Sequence, residues 1–199
     1  MLQKYSLKVV TAPTIEPVSL AEAKLQCRID DDLTFDDALI TSLIAAAREY
    51  CENETNRAFI NTTYDLKMDA FSSGGEIVLP RAPASSVTSI TYLDGDGASQ
   101  TWSSTEYSVD INTEPGRVTL AYGYSWPTTR AIENAVAVRY VAGYGAAASS
   151  VPDSIKAAMK LIIEHLYRNR SATVIGSISS TLPLSVESLL NRYRLLEVA

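Results

Sequence analysis

Apolar positions recur along this chain in two rhythms, and the predicted architecture changes where the rhythm changes. Ser19 with Glu22 three residues on has the capping-box pattern. In the helix it opens, Leu20, Ala23 and Cys27 share one face, with Leu25 and Ile29 in support. Thr34 with Asp37 predicts a second N-cap. Leu39, Ile40, Leu43, Ile44, Ala47 and the pair Tyr50/Cys51 then carry a stripe at helical spacing as far as Thr55. Ahead of both helices, Pro13 and Pro17 in TAPTIEPV predict an extended arm.

From Phe59 the period shortens to two. Strands are predicted at Thr62–Met68, Glu76–Leu79, Val87–Leu93, Glu106–Ile111, Arg117–Ala121 and Glu133–Val141, separated by the turn signals SSGG, PRAP, DGDG and EPG. DGDG reads as a hairpin loop. Val136, Val138 and Tyr140 alternate with Ala137, Arg139 and Val141, one buried and one wetter face. Gly143 and Gly145 then turn the chain into a small-residue connector.

The helical rhythm returns with Pro152 and Asp153 at a helix start. Ile155, Met159, Ile162 and Leu166 fall on one face of that helix, whereas Leu161 and Ile163 point elsewhere. A helix apolar on more than one side must be covered on more than one side, so these four are the candidate assembly residues. SATVIGSISSTLPLS follows as an uncharged loop, and Val186–Leu196 reads as a short final helix. The predicted fold class is α+β: a discontinuous α-helical core (1–58 with its arm, and 146–199) with an inserted antiparallel β unit (59–145).

Composition narrows the function classes. The 199 residues, 46% hydrophobic and 20% charged, are ordinary for a globular protein. Neither a membrane span nor a secretory leader is recognisable, and the expectation is a protein that stays in a cytoplasm. Cys27 and Cys51, without CxxC spacing, read as reduced thiols. The net charge of −6 divides as −4 over 1–58, −4 over 59–150 and +2 over 151–199. An acidic chain is badly suited to gripping DNA, whose phosphates demand Lys and Arg. The surplus positive charge includes Arg168 and Arg170 at one helix end and Arg192 and Arg194 flanking Tyr193. These five are candidate contacts to a partner, although a helix dipole alone favours basic residues at C-termini.

Catalytic chemistry is nearly absent. There is no GxxxxGK[ST], GxSxG or HExxH, and GYG lacks the setting of a dinucleotide fingerprint. His165 stands alone in mid-helix. The five aspartates between 30 and 37 lack the central glycine and distal glutamate of a calcium loop and read as helix caps. No catalytic, cofactor-binding or metal-ligating residue is assigned, and the expectation is a non-enzyme.

Six segments together carry a resemblance: VSLAEAKLQCRID, DDALITSLIAAAREYCE ending in TNR, a β-rich middle, VRYVAGYG, VPDSIKAAMKLIIEHLYRNR and LLNRYR. In this order they resemble the head–tail connector (adaptor) proteins of tailed phages, associated with DNA packaging and found also in prophages and gene transfer agents. The resemblance implies a structural virion protein of the neck. A helical core would assemble into a ring of about twelve copies beneath the portal, prolong the DNA channel without sequence-specific binding, and meet the next neck, stopper or tail protein. Shorter members lack a large β insert, so 59–145 departs from the pattern. The alternative from a different class is a protein- or carbohydrate-binding module. It rests on the β region, which holds both tryptophans and seven of the eleven tyrosines.

Overall fold

The computed structural model describes residues 5–169 and 184–195. The chain divides into two compact units, one of strands (5–13, 61–144 and 195) and one of helices (14–60, 145–169 and 184–194).

In the helical unit, α1 (Leu20–Cys27) begins as the sequence predicts. Ser19 Oγ accepts the Glu22 N–H at 3.2 Å, and the Glu22 carboxylate accepts the Ser19 N–H at 2.8 Å. The helix stops at Arg28, whose φ of 61° is left-handed. α2 (Asp37–Thr55) starts later than the Thr34 cap predicts. Its N-cap is Asp36, while Thr34 contributes only its carbonyl, to the Asp37 N–H. Along α2 the stripe buries Ile40, Ile44, Ala47 and Cys51, with Leu39 and Leu43 at its margin.

α3 (Asp153–Arg168) packs against α1 and α2 and against α4 (Leu184–Asn191). Three neighbours explain why α3 is apolar on more than one side. Ile155, Ala158, Met159, Ile162 and Ile163 are all buried within this one unit. The final helix ends at Asn191, short of the expected Leu196. Its last carbonyls take the Tyr193 N–H at 2.8 Å and the Arg194 N–H at 3.2 Å, turning the chain. The uncharged loop of the sequence reading lies outside the described residues except for its last two, Leu184 and Ser185, which belong to α4.

The strand unit contains a five-stranded antiparallel sheet in the order β1-β2-β8-β4-β5 and a three-stranded sheet β3-β7-β6. These are β1 (Tyr5–Thr11), β2 (Thr62–Met68), β3 (Glu76–Val78), β4 (Ala84–Leu93), β5 (Ser99–Thr101), β6 (Tyr107–Asp110), β7 (Arg117–Leu120) and β8 (Val136–Ala142). Residues 5–11, read from sequence as part of an arm, instead form the edge strand β1 against β2. The first and last strands of 61–144 are neighbours, with Thr62 opposite Ala142 and Met68 opposite Val136. An insertion whose ends meet in this way leaves its host's chain path nearly undisturbed.

Alternation decides which face is dry. Tyr64, Leu66 and Met68 of β2 and Val136, Val138 and Tyr140 of β8 are buried. On the opposite face Arg139 forks onto Asp65, Nε to Oδ1 at 2.7 Å and Nη2 to Oδ2 at 2.8 Å. That hydrogen bond holds the Asp65 carboxyl below its ordinary range. DGDG is the β4–β5 hairpin loop, in which Asp94 Oδ1 accepts the N–H groups of Asp96 and Ala98 and Gly97 sits at φ 88°. Gly116 serves close approach instead, since a Cβ there would stand 2.8 Å from that of Ala84.

Candidate functional site

The nominated residues that the structure describes all lie in the helical unit. Ile155, Met159 and Ile162 are at most 2% exposed, and Leu166 is half-buried. A neighbouring molecule cannot touch the first three without opening the core. Their burial makes them core residues of the subunit.

The arginines are outside, but most have partners within the chain. Arg168 Nη2 lies 2.8 Å from Glu164 Oε1 one turn back, and Gln26 Nε2 donates to Glu164 Oε2 at 2.6 Å, tying α1 to α3. Arg194 Nη2 meets Glu54 Oε2 at 3.0 Å. The Tyr193 carbonyl accepts from Nε of the buried Arg57 at 2.6 Å. The Arg192 guanidinium lies 5.3 Å from the centroid of the Tyr193 ring and has no carboxylate partner among the described residues. Arg170 lies outside the described residues. The segment after α4 is thus both clamped to α2 and rimmed with cations. A groove of about 160 Å³ opens beside it, walled by Tyr50, Val186 and Leu190 and edged by Glu54, Glu187 and Arg194.

The aspartate run is taken up by structure. Tyr167 Oη donates to Asp36 at 2.5 Å, and the ammonium of Lys24 reaches Asp37 Oδ1 at 2.6 Å and the Asp31 carbonyl at 3.2 Å. Among the described residues no three His, Cys, Asp or Glu side chains converge as a metal site. Both cysteines are free. Burial, and after it the neighbouring Glu52, pushes the Cys51 thiol up to about 12, far from a reactive thiolate. Among the described residues the His165 ring has Asn169 as its hydrogen-bond partner, whose Nδ2 bonds the His165 carbonyl at 2.8 Å and lies 3.4 Å from Nδ1. Replacing His165 with Ala is expected to cost at most about 1 kcal/mol of stability and no function. Urea denaturation and particle assembly both check this, and full loss of function in a folded protein would reopen a chemical role.

In the strand unit the aromatic wealth is spent largely on itself. Phe71 stacks on Trp126 at 5.0 Å and lies 5.5 Å from Trp102, which in turn approaches Trp126 at 5.0 Å and Tyr107 at 5.1 Å. Trp102 Nε1 donates to Glu106 at 2.6 Å. Of these rings Trp102 is buried, and Phe71, Tyr107 and Trp126 are half-buried around it.

Sequence reasoning missed the α1–α2 loop. Leu33 and Phe35 project from it 56% and 96% exposed, and Leu25, which the sequence reading set beside the apolar face of α1, is 79% exposed on that helix. The signal was present, since DDDLTF sets two large apolar residues inside an acidic run where no helix face claims them.

A family model described as head completion protein matches residues 18–196. A chain in the neck of an empty gene transfer agent particle, computed with C6 symmetry, is similar at 26% identity and a TM-score of 0.81, over 98% of this chain and 97% of that one. A chain of the virion of a native gene transfer agent particle is similar at 25% identity and a TM-score of 0.80, over 97% of each. One from the native neck computed with C12 symmetry shares the fold, at 23% identity and a TM-score of 0.76. No curated protein sequence matches this one.

Proposed function

We propose, from the premise that this chain belongs to the head completion protein family, the following reading of how it works in the particle. It is a structural virion protein of the head–tail connector, located in the neck, where it forms a ring. The carrying observation is that chains from gene transfer agent necks share its fold over nearly the full length of both partners. In our reading the ring has about twelve copies, lies beneath the portal and extends the DNA channel toward the next neck or tail protein. The subunit's acidity suits that duty, since DNA passes an acidic wall without being held. We assign it no catalytic step.

Arg168, Arg192, Tyr193 and Arg194, with Arg170, are the proposed contacts to a partner protein, most directly the portal. The positions of Arg192, Tyr193 and Arg194 support this, because Arg and Tyr on a clamped segment are among the side chains that most often anchor interfaces. We also propose that the helical unit, 14–60 with 145–169 and 184–194, acts as the ring-forming core, with 61–144 as an insert; residues 5–11, counted with that core in the sequence reading, belong to the strand unit.

Truncation after Val186 tests the interface reading. It removes Leu190, the Tyr193 carbonyl and Arg194, and so takes partners from Arg57 and Glu54. The expected product is a destabilised but folded subunit that no longer enters portal-bearing particles, read by circular dichroism and by labelled imaging of the neck. Normal incorporation would sink the interface reading, and an unfolded product would assign the segment to packing. Absence of label from the neck with the full-length chain would sink the connector reading itself.

A further inference from the structure

The segment beyond α4 is held by a residue from the far end of the sequence. Arg57 follows the left-handed cap Asn56 at the end of α2 and is 6% exposed. Its Nε donates at 2.6 Å to the Tyr193 carbonyl, 136 positions on. Taking a guanidinium out of water is costly, and an apolar side chain of like volume would fill the same place without that cost. A charge-assisted hydrogen bond returns part of it. The bond is also directional, so it settles where one carbonyl points.

That carbonyl begins a short run of contacts leading outward. α4 has ended at Asn191, and the residues after it bond back onto its last turn. The Tyr193 N–H meets the Leu190 carbonyl at 2.8 Å, and the Arg194 N–H meets that of Asn191 at 3.2 Å. Tyr193 is therefore held through both its N–H and its carbonyl. Its half-buried ring is the bed for Arg192, whose guanidinium lies 5.3 Å from the ring centroid. Arg192 is exposed and has no carboxylate partner among the described residues. A second tie lies one residue further along, where Arg194 Nη2 meets Glu54 Oε2 at 3.0 Å. Both members of that pair are about half exposed, which makes it the weaker tie.

We propose that Arg57, seconded by Glu54, is a positioning residue for the partner contact: it holds Tyr193 so that Tyr193 and Arg192 meet the partner already ordered. The proposal rests on the interface reading and divides it into two side chains that reach outward and a clamp beneath them. A segment ordered before binding spares the complex the cost of ordering it. Loss of the clamp therefore weakens binding without removing a group that touches the partner.

The experiment uses the full chain expressed with the other particle proteins. Arg57→Met is expected to stay folded, with amide hydrogen exchange at Tyr193 and Arg194 at least about tenfold faster and entry into portal-bearing particles about tenfold lower. A core control whose urea midpoint matches it, Ile44→Val or Ile44→Ala, is expected to enter as the wild type does, which separates positioning from stability. Unchanged exchange or wild-type entry of Arg57→Met overturns the proposal, as do equal losses in variant and control. Should Arg57→Met not fold, Glu54→Ala decides, because its tie lies at the surface and the subunit stays folded. Entry is then expected to fall about threefold at an unchanged urea midpoint, and wild-type entry overturns the clamp. Arg192→Glu combined with Tyr193→Ala tests the reading beneath. If that double variant enters normally, the interface reading fails and this proposal with it. If it is excluded while Arg57→Met enters unchanged, only the clamp fails.

Discussion

Ile162→Asp is expected to unfold the helical unit at neutral pH. Ile162 is 2% exposed and lies on α3 between turns that also bury Ala158, Met159 and Ile163. Removing the isobutyl-sized side chain alone costs about 2–5 kcal/mol, as large-to-small core changes do. Placing an unpaired carboxylate there adds several kcal/mol more, or raises the group's pKa until it is protonated. Against a total stability of about 5–15 kcal/mol the sum is disabling. The sign with pH follows from the raised native pKa. The introduced acid binds more protons folded than unfolded, so the loss is smallest below the unfolded value of about 4 and grows as pH rises through and above it. Ile162→Asn should show the cavity and polar cost without that pH dependence. Helical signal in urea at several pH values measures both. A variant as stable as wild type at pH 7 would mean that α3 is not the core element its burial indicates.

That α3 would be central was readable from the chain, since apolar residues on two sides of one helix demand two covers. What covers it was not readable. A periodic pattern states that a face must be hidden and is silent on whether the cover is an internal helix or another molecule. The structure supplies α1, α2 and α4 from within. Strands showed a similar split. β2 and β8 alternate cleanly because one face is dry. β1 escaped because it is an edge with both faces largely wet, and two prolines just after it pull the reading toward an arm. β5, three polar exposed residues, offers no pattern at all.

The candidate surface divided along the same line. Charge is local information, and the surplus of arginines after residue 151 was plain in the sequence. Their partners are not local. Glu54 lies 140 positions from Arg194, and Arg57 lies 136 from the carbonyl it holds at Tyr193. Lys24 hides in the same way, as a lysine placed among helix residues whose burial depends on a loop it anchors. The exposed Phe35 is the reverse case, an apolar residue whose side chain finds no cover in its own subunit.

The second large loss is expected for Glu52→Ala. Glu52 is 9% exposed and does two jobs with its two oxygens. Oε1 accepts the Phe59 N–H at 2.8 Å, and Oε2 accepts from Arg48 Nη1 at 2.9 Å. Arg48 in turn places Nε 2.8 Å from Glu16, so one guanidinium bridges the entry segment and the end of α2. Alanine strands a buried backbone donor and leaves Arg48, its side chain 12% exposed, with Glu16 as its close acceptor. Stranding a buried donor costs about 1–3 kcal/mol, and leaving a desolvated guanidinium with one close carboxylate in place of two adds to that. Glu52→Gln keeps the acceptor for Phe59 and should cost clearly less. The double variant Arg48→Met, Glu52→Gln keeps an acceptor for Phe59 and removes the desolvated guanidinium, so it should regain part of the Ala loss even though the partly exposed Glu16 then loses Arg48. Urea midpoints for the three variants decide it. A cost below about 1 kcal/mol for Glu52→Ala would show the network to be dispensable. The expected large cost, relieved in the double variant, would make Glu52 the group that fixes the path of the chain from Asn56, at φ 54°, to Phe59 as it leaves α2.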